Sequence, residues 1–251
     1  MNKIVKKALS AAGAIARSRR KPFVSAVIVA GGSSERMNGV SKQLIPIAGV
    51  PVVARSALAY EACPDVSEIV VVCRDGEESA IEALMREYNI KKFVGTAKGG
   101  KTRFDSVKSG FEKTSVKSDI VAVHDAARCL ITPEQISKVI DSAKKNGAAI
   151  AAAPSVDTVK IVGDDGKIAS TPDRKTLWNA QTPQVFVKAM LEVGLYYPRE
   201  SGFKPTDDAM LVETLGFKVA VVDCGYENIK ITTPADVSVA ESIVKRRSEN
   251  E

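Results

Sequence analysis

The sequence has few of the residues on which several common kinds of site depend. Its 251 residues include four cysteines and a single histidine, His124, and no two cysteines form a CxxC pair. A disulfide framework and a Cys/His zinc site are therefore not expected. Scattered, unpaired thiols are typical of a reducing compartment, so we expect a cytoplasmic protein.

Long apolar runs are also missing, and no segment reaches the length of apolar sequence needed to span a membrane. With 45% hydrophobic residues, the chain is still long enough to bury a sizeable core. The expected organisation is a single domain over residues 22–251, preceded by a basic extension over residues 1–21.

The body of the chain lacks an excess of positive charge. The formal net charge is +6, but residues 1–21 hold seven Lys or Arg and no acid, which leaves 29 basic against 30 acidic residues. No nucleic-acid partner is expected from this balance. We interpret the extension as a partly ordered or disordered segment without function. A membrane-surface helix and an organellar presequence are the alternatives.

Apolar runs and amphipathic segments alternate along the body. They predict strands over residues 24–30, 69–73, 92–94, 120–124 and 148–153, and helices over 51–62, 77–88, 103–113 and 133–146. Thr206 and Thr233 are predicted N-caps of two further helices, near 207–215 and 234–246. The alternation is typical of an α/β, Rossmann-like fold: a mostly parallel twisted sheet flanked by helices, with its site at the carboxyl ends of the strands.

Residues 155–171 interrupt this alternation. Two short runs, 158–162 and 167–171, flank the turn sequence Gly163-Asp-Asp-Gly166, which predicts a β-hairpin projecting from the sheet. Because an isolated hairpin is marginally stable in water, this arm is expected to need a partner surface.

A glycine-rich loop follows the first predicted strand. The strand ends at Ala30, Gly31 and Gly32, and the loop beyond carries Arg36 and Lys42. Glycines let the backbone approach a polyphosphate closely, and the two cations can meet its charge. Many α/β proteins begin this way, so the loop alone is a weak indication of nucleotide binding.

A second glycine-rich segment, Gly95-Thr-Ala-Lys-Gly-Gly-Lys101-Thr102, matches the P-loop pattern GxxxxGK[ST]. It favours an ATP- or GTP-hydrolysing enzyme or a kinase, with Lys101 on the phosphates and Asp125 on magnesium. The strand predicted before it is weak, however, and the loop after Ala30 would have no role in such a protein.

Asp125 and Arg128 follow the predicted strand 120–124, so their side chains emerge at one edge of the sheet. A carboxylate there can bind a ribose hydroxyl or Mg²⁺, and an arginine can hold a phosphate. His124, inside the strand, is interpreted as a structural residue rather than a base. Cys129 is interpreted as an inert small residue.

Further polar motifs follow in order: Asp173-Arg174, Gln181-Thr-Pro-Gln184, Thr206-Asp207 and Asn228-Ile-Lys230. Together with the segments 30–37, 99–106 and 124–128, they resemble the 2-C-methyl-D-erythritol 4-phosphate cytidylyltransferase family over nearly all of residues 24–245. Ser34, Lys101 and Cys129 depart from the family pattern. A lysine at the tolerant position 101 would produce the P-loop match by accident.

The resemblance implies transfer of CMP from CTP to methylerythritol phosphate, with release of pyrophosphate and with Mg²⁺ or another divalent cation as cofactor. It implies catalytic roles for Arg36 and Lys42 on the triphosphate, and for Arg174 and Lys230 on the attacking phosphate. The implied nucleotide-binding residues are Ala30, Gly31, Gly32, Gly99, Gly100, Lys101, Ser106, Asp125 and Ala126, with Asp125 also a candidate magnesium ligand. The implied residues of the alcohol's pocket are Arg128, Thr158, Thr182 and Thr206.

The resemblance also implies a homodimer in which the arms formed by residues 155–171 embrace. Three other functions stay open. Ribitol-5-phosphate cytidylyltransferases share the fold and most of the motifs. The P-loop enzyme is the second, and the third is a nucleotide-binding or membrane-associated module tethered by residues 1–21.

Overall fold

The structure is a computed structural model that describes residues 3–32, 43–197 and 202–249. Within them, seven strands form the central sheet: β1 (Val24–Val29), β4 (Glu68–Cys73), β5 (Phe93–Lys98), β6 (Ile120–Asp125), β7 (Ala148–Pro154), β10 (Trp178–Val187) and β11 (Ala220–Asp223). Their spatial order is β11-β7-β10-β6-β1-β4-β5. The neighbours are parallel except β10, which runs antiparallel to both β6 and β7. The prediction of a mostly parallel α/β sheet is confirmed.

The helices among these residues are α1 (Lys3–Arg17), α2 (Val52–Ala62), α3 (Glu78–Glu87), α4 (Arg103–Lys113), α5 (Pro133–Asn146), α6 (Lys188–Tyr196), α7 (Ala209–Glu213) and α8 (Pro234–Ser248). Helices α4 and α5 begin and end where the sequence predicts. Each starts with a capping box, in which Thr102 or Thr132 accepts a hydrogen bond from the third helical residue. No described helix is long and apolar enough to cross a membrane.

Parallel pairing brings the carboxyl ends of β1, β4, β5 and β6 to one edge of the sheet. Strand β6 is buried along its whole length, and β1 is buried at every residue but Val29. The buried ladder holds the loops that begin at Ala30, Gly99 and Ala126 at fixed positions. This edge is where the sequence predicts a site.

Strand β5 is longer than predicted and changes the interpretation of the P-loop pattern. It runs to Lys98 because it pairs with β4 up to Cys73, so Gly95 to Lys98 lie in an extended strand. A P-loop wraps those positions around phosphates. The P-loop interpretation is therefore wrong: the segment matches the P-loop pattern in sequence but does not form a P-loop.

Residues 155–171 contain the predicted hairpin, with shorter strands than expected. Strand β8 (Ile161–Val162) pairs antiparallel with β9 (Ile168–Ser170), and the Gly163 N–H donates to the Lys167 carbonyl across the turn. Every residue of both strands is exposed. A second small hairpin, β2 (Pro46–Ile47) with β3 (Val50–Pro51), packs beside α8.

The N-terminal extension differs from expectation, because residues 3–17 form a helix that belongs to the core. Val5, Ala8 and Ala12 are buried in the main hydrophobic cluster, where α1 packs against α5 and α6. The interpretation of a partly ordered or disordered segment is wrong for these residues. Part of the apolar face of the helix, which also suggested a membrane surface, is turned towards the protein, while Ile4 and Leu9 remain exposed.

Candidate active site

Two glycine loops lie side by side at the carboxyl edge of the sheet. The Ala30 N–H donates to the Val72 carbonyl and the Gly99 N–H to the Cys73 carbonyl, both at 2.7 Å, so the two loops leave the sheet on either side of β4. A Cβ placed on Gly31 would lie 3.7 Å from Gly99 Cα. At this distance the loops form a continuous backbone surface against which a flat base or a phosphate chain can lie.

Gly100 and Ser106 fix the shape of the second loop. A Cβ on Gly100 would lie 2.2 Å from Asp105 Cβ, so a larger residue does not fit there. Ser106 Oγ accepts a hydrogen bond from the Gly100 N–H and donates to the Thr102 carbonyl. Lys101 is exposed beside them. Ser106 thus holds the loop that the sequence predicts as nucleotide-binding.

Asp125 stands at the end of β6 between two cations. Lys230 Nζ lies 2.7 Å from Oδ2, and Arg103 Nε lies 3.1 Å from Oδ1. Burial alone would raise the pKa of the Asp125 carboxyl, but Arg103 and Lys230 outweigh burial and lower the pKa well below its usual range. Asp125 is therefore a permanent anion and does not serve as a proton donor or acceptor near neutral pH.

Lys230 reaches Asp125 because its loop is tied to the sheet at two points. The Ile231 N–H donates to the Ala127 carbonyl at 2.8 Å. Asn228 is fully buried and donates through Nδ2 to Gln181 Oε1 and to the Thr182 carbonyl, each at 2.9 Å. The motif predicted at residues 228–230 is thus brought beside the motifs at 124–128 and 181–184.

Thr182 and His124 are linked to Asp125 by hydrogen bonds that hold the end of β6 in place. Thr182 Oγ1 accepts a hydrogen bond from the Asp125 N–H and bonds His124 Nδ1 at 3.0 Å. The imidazole is completely buried, and burial lowers the pKa of His124 to about 3. A neutral, enclosed imidazole is structural, in agreement with the sequence interpretation.

Arg128 also joins the site, held by backbone oxygens. Its Nη1 donates to the Asn228 carbonyl at 2.8 Å and its Nη2 to the Ala180 carbonyl at 3.3 Å. Burial lowers the pKa of Arg128. The neighbouring Cys129 points into a separate apolar cluster with Ile47, Leu130 and Ile231, and burial raises the pKa of its thiol to about 11. Cys129 is thus an inert packing residue, as expected.

The structure does not bring every predicted residue to Asp125. Thr158 on the arm and Arg174 just beyond it are exposed, and Arg174 donates to the Val156 carbonyl of the arm at 3.2 Å. Thr206 is a wrong N-cap prediction: Asp208 precedes α7, while Thr206 Oγ1 contacts Met210 Sδ at 3.7 Å. Arg36 and Lys42 lie outside the described residues.

Three residues of the site were missed from the sequence: Arg103, Asp208 and Gln184. Arg103 forms a two-pronged pair with Asp208, and Gln184 Oε1 accepts from the N–H groups of Asp208 and Ala209. Arg103 and Gln184 stand inside motifs that the resemblance identified, and Asp208 directly follows the motif Thr206-Asp207. The sequence offers two indications of these residues: a second acid directly after Asp207, and an arginine at the predicted start of a helix at 103. Neither indicates which residue is its partner.

Asp125 is the carboxylate that the sequence suggests as a magnesium ligand. Among the described residues, no group of three or more His, Cys, Asp or Glu side chains is placed to hold a metal ion. Both Asp125 oxygens already accept from cations, although a carboxylate has further lone pairs. Mg²⁺ commonly binds one or two carboxylates together with substrate phosphates. The donor set fits a magnesium ion carried mainly by a nucleotide's phosphates.

Comparison with known proteins agrees with this geometry. The family model for 2-C-methyl-D-erythritol 4-phosphate cytidylyltransferase matches residues 24–246. A protein of that name from Syntrophus aciditrophicus is 40% identical over 228 residues, covering 90% of this chain and 97% of the relative. One from Caldanaerobacter subterraneus is 42% identical over 225 residues, covering 89% and 99%.

Solved structures give the same result. The crystal structure of 4-diphosphocytidyl-2C-methyl-D-erythritol synthase from Anaerococcus prevotii superposes with a TM-score of 0.81 at 33% identity, covering 90% of this chain and 97% of that one. That of 2-C-methyl-D-erythritol 4-phosphate cytidylyltransferase from Thermus thermophilus gives 0.72 at 29% identity, covering 89% and 99%. The chain belongs to the 2-C-methyl-D-erythritol 4-phosphate cytidylyltransferase family.

Proposed function

We propose that the protein transfers CMP from CTP to 2-C-methyl-D-erythritol 4-phosphate, releasing pyrophosphate and forming 4-diphosphocytidyl-2-C-methyl-D-erythritol for isoprenoid precursor synthesis. The observation that carries the proposal is the Asp125–Lys230 pair beside the two glycine loops, within a family match over residues 24–246. The site combines a backbone surface for a nucleotide with an ammonium group for a second, phosphorylated substrate.

The chemistry needs charge neutralisation more than proton transfer. A phosphate monoester oxygen, largely ionised because its second pKa is about 6, attacks the α-phosphorus of CTP. The new P–O bond forms as the bond to the β-phosphate oxygen breaks, and pyrophosphate leaves with the electron pair. No general base is required, which suits a site whose histidine is buried and neutral.

Each cation has a place in this scheme. Lys230 attracts and orients the attacking phosphate, assisted by Arg174, and Arg128 lines the alcohol's pocket. Arg36 and Lys42, outside the described residues, act on the triphosphate and on the charge that develops at the α-phosphate. Asp125 holds Lys230 in place and faces the ribose.

Magnesium belongs to the proposal as a cofactor that reduces the negative charge of the triphosphate. Asp125 is the described residue that would contact it, with the remaining ligands supplied by phosphate oxygens and water. The described residues themselves bind the substrates, orient the attacking phosphate and keep the loops in place.

A homodimer and a cytoplasmic location complete the proposal. The exposed arm of residues 155–171 carries Thr158 and leads to Arg174, so in a dimer the partner's arm delivers both side chains to this site. All four cysteines are free and buried, which suits a reducing compartment.

Pyrophosphate release measures the reaction directly. The protein is incubated with Mg²⁺, one of the four ribonucleoside triphosphates, and either methylerythritol 4-phosphate or ribitol 5-phosphate. We expect release with CTP and methylerythritol 4-phosphate, dependent on both. Release with CTP and ribitol 5-phosphate, but not with CTP and methylerythritol 4-phosphate, would make ribitol 5-phosphate the acceptor. Release with ATP or GTP in the absence of any alcohol phosphate would overturn the transferase proposal.

Two lysine variants test the assignment of the nucleotide site. Lys101→Ala should leave turnover within about twofold of wild type, because its side chain is exposed and the loop is shaped by Gly100 and Ser106. Lys230→Ala should lower turnover by about 10²–10³, a typical loss for one charge-stabilising contact. The opposite ranking would move the phosphate site to Lys101.

A further inference from the structure

Arg103 links the two carboxylates of the site. It is the first residue of α4, directly after the N-cap Thr102. Its Nη1 and Nη2 donate to the two oxygens of Asp208 at 2.8 and 2.7 Å, and its Nε donates to Asp125 Oδ1 at 3.1 Å. Such a fork engages one carboxylate bidentately and still has a third N–H for another, which a lysine cannot do.

The far side of Arg103 is anchored in the protein. The Asp208 side chain is only 1% exposed, and its backbone N–H donates to Gln184 Oε1 at 2.8 Å. Gln184 is itself buried in β10, and its Nε2 donates to Asp207. Asp208 therefore does not move to meet a ligand, and Arg103 is held at a fixed distance from the sheet edge.

The near side of Arg103 shares Asp125 with Lys230. Each cation takes one oxygen of the carboxylate, so Lys230 contacts Oδ2 only. Two cations face two carboxylates, and the group is neutral. Without Arg103, the ammonium group of Lys230 would be the remaining cation beside the two carboxylates of Asp125 and Asp208. The group would then carry a net negative charge, which repels a phosphate that approaches Lys230.

We propose that Arg103 is a positioning residue: it takes part of the charge of Asp125 and orients that carboxylate, which leaves Lys230 able to bind the attacking phosphate. The proposal rests on the proposed function for the identity of that phosphate. Arg103 itself contacts protein carboxylates, so its effect passes through Asp125 and Lys230.

The test separates positioning from mere neutralisation of Asp208. Arg103→Gln alone leaves Asp208 as an unpaired buried carboxylate and is expected to destabilise the fold. The double variant Arg103→Gln/Asp208→Asn removes both charges and keeps the group neutral, and Asp208→Asn alone is the matched control. The control measures the loss of stability from replacing Asp208 alone, and the wild-type protein, whose group carries the same net charge as that of the double variant, is the reference for the KM of methylerythritol 4-phosphate.

For the double variant we expect a melting temperature close to that of Asp208→Asn, together with a KM for the alcohol phosphate raised at least tenfold. The KM for CTP should rise less, because the glycine loops are unaltered. A double variant with the wild-type KM for the alcohol phosphate would overturn the proposal, since Arg103 would then serve only to pair with Asp208.

A second variant covers the case in which the double variant does not fold. Arg103→Lys keeps one positive charge beside Asp208 but cannot reach both carboxylates as a fork. It should fold and show a KM for the alcohol phosphate raised severalfold, with a smaller change in kcat. A wild-type KM in Arg103→Lys would also overturn the positioning role.

Calorimetry separates this inference from the proposed function. Inorganic phosphate serves as a probe of the Lys230 site without turnover, and we expect the double variant to bind it at least tenfold more weakly than the wild-type protein, whose group has the same net charge. Failure of the wild-type protein to release pyrophosphate would count against the proposed function alone. Equal phosphate affinity in the double variant and the wild-type protein would count against Arg103 alone.

Discussion

Helix α1 and the arm of residues 155–171 both lie outside the central sheet and both carry apolar side chains, yet they differ in what covers those side chains. In α1, Val5, Ala8 and Ala12 are at most 8% exposed. In the arm, Val159, Ile161, Val162 and Ile168 are between 41% and 63% exposed. The same chain buries one apolar segment and leaves the other open.

The difference shows that an apolar pattern indicates a need for a partner surface without saying where that surface is. Helix α1 finds it on α5 and α6 of its own chain, although it lies before the region matched by the family. The arm lies within that region, and in the described part of the chain every residue of β8 and β9 is exposed. We propose a second copy of the chain as the partner for this exposed apolar arm.

The largest expected effect comes from mixing two inactive variants, which tests the arm. Arg174→Ala and Lys42→Ala should each lower turnover by about 10²–10³ as separate dimers. If the arm delivers Arg174 to its partner, a mixed dimer has one doubly altered site and one intact site. With random exchange, turnover should recover to about a quarter of wild type, as two-fold symmetry requires.

The control for mixing is a pair of differently tagged wild-type proteins, which verifies that subunits exchange under the same conditions. No recovery, with exchange established, would mean that Arg174 acts within its own chain. The arm would then differ from α1 only in exposure and would not complete a neighbouring site.

The next effect concerns stability and tests α1. Deleting residues 1–17 should lower the free energy of unfolding by about 3 kcal/mol, because burial of Val5, Ala8 and Ala12 is lost. For a chain of this size the melting temperature should fall by roughly 6–12 °C. Residues 18–21 are kept, since Arg20 pairs with Asp119 and Lys21 donates to the Pro64 carbonyl.

Turnover at 25 °C should stay at the wild-type level in the same truncated protein, because every residue of the site lies beyond Phe23. Thermal and urea unfolding give the stability, and pyrophosphate release gives the turnover. An unchanged melting temperature would show that α1 packs without stabilising the domain, and a lost activity would make α1 part of the working enzyme.

Local signals in the sequence explain which elements of the fold could be predicted. Helices α4 and α5 are predicted to the residue from their amphipathic pattern, and in the structure each begins with a local capping box, at Thr102 and Thr132. Strand β5 was predicted too short because pairing with β4, a non-local interaction, extends a glycine-containing segment. The order of α1 was missed because it depends on α5 and α6, more than 100 residues away.

The residues of the site also fall into those that local motifs predict and those that depend on distant parts of the chain. Asp125, Lys230 and Thr182 were predicted from motifs, and the structure brings them together. The pairing of Arg103 was not predicted, because it depends on Asp208, which lies just before α7 and 105 residues further along the chain. A pair of this kind has no signature in one sequence, since an arginine opening a helix is an ordinary surface residue until its partner is known.

The smallest expected effect comes from a matched pair of substitutions on α1, which sharpens the comparison at one turn of helix. Ala8 is 2% exposed and its neighbour Leu9 is 41% exposed. Ala8→Asp and Leu9→Asp place the same charge at adjacent positions of the helix. Ala8→Asp should cost about 2–3 kcal/mol, since the helix undocks rather than bury an unpaired carboxylate, and deletion of α1 sets the ceiling.

Leu9→Asp should cost less than about 1 kcal/mol, the sum of a lower helix propensity and some lost apolar contact. Urea unfolding of the two variants beside wild type measures the difference. Equal destabilisation would mean that Leu9 is covered as fully as Ala8 in solution. Helix α1 would then share with the arm a need for a second copy of the chain, and the contrast between a segment that finds its partner internally and one that does not would disappear.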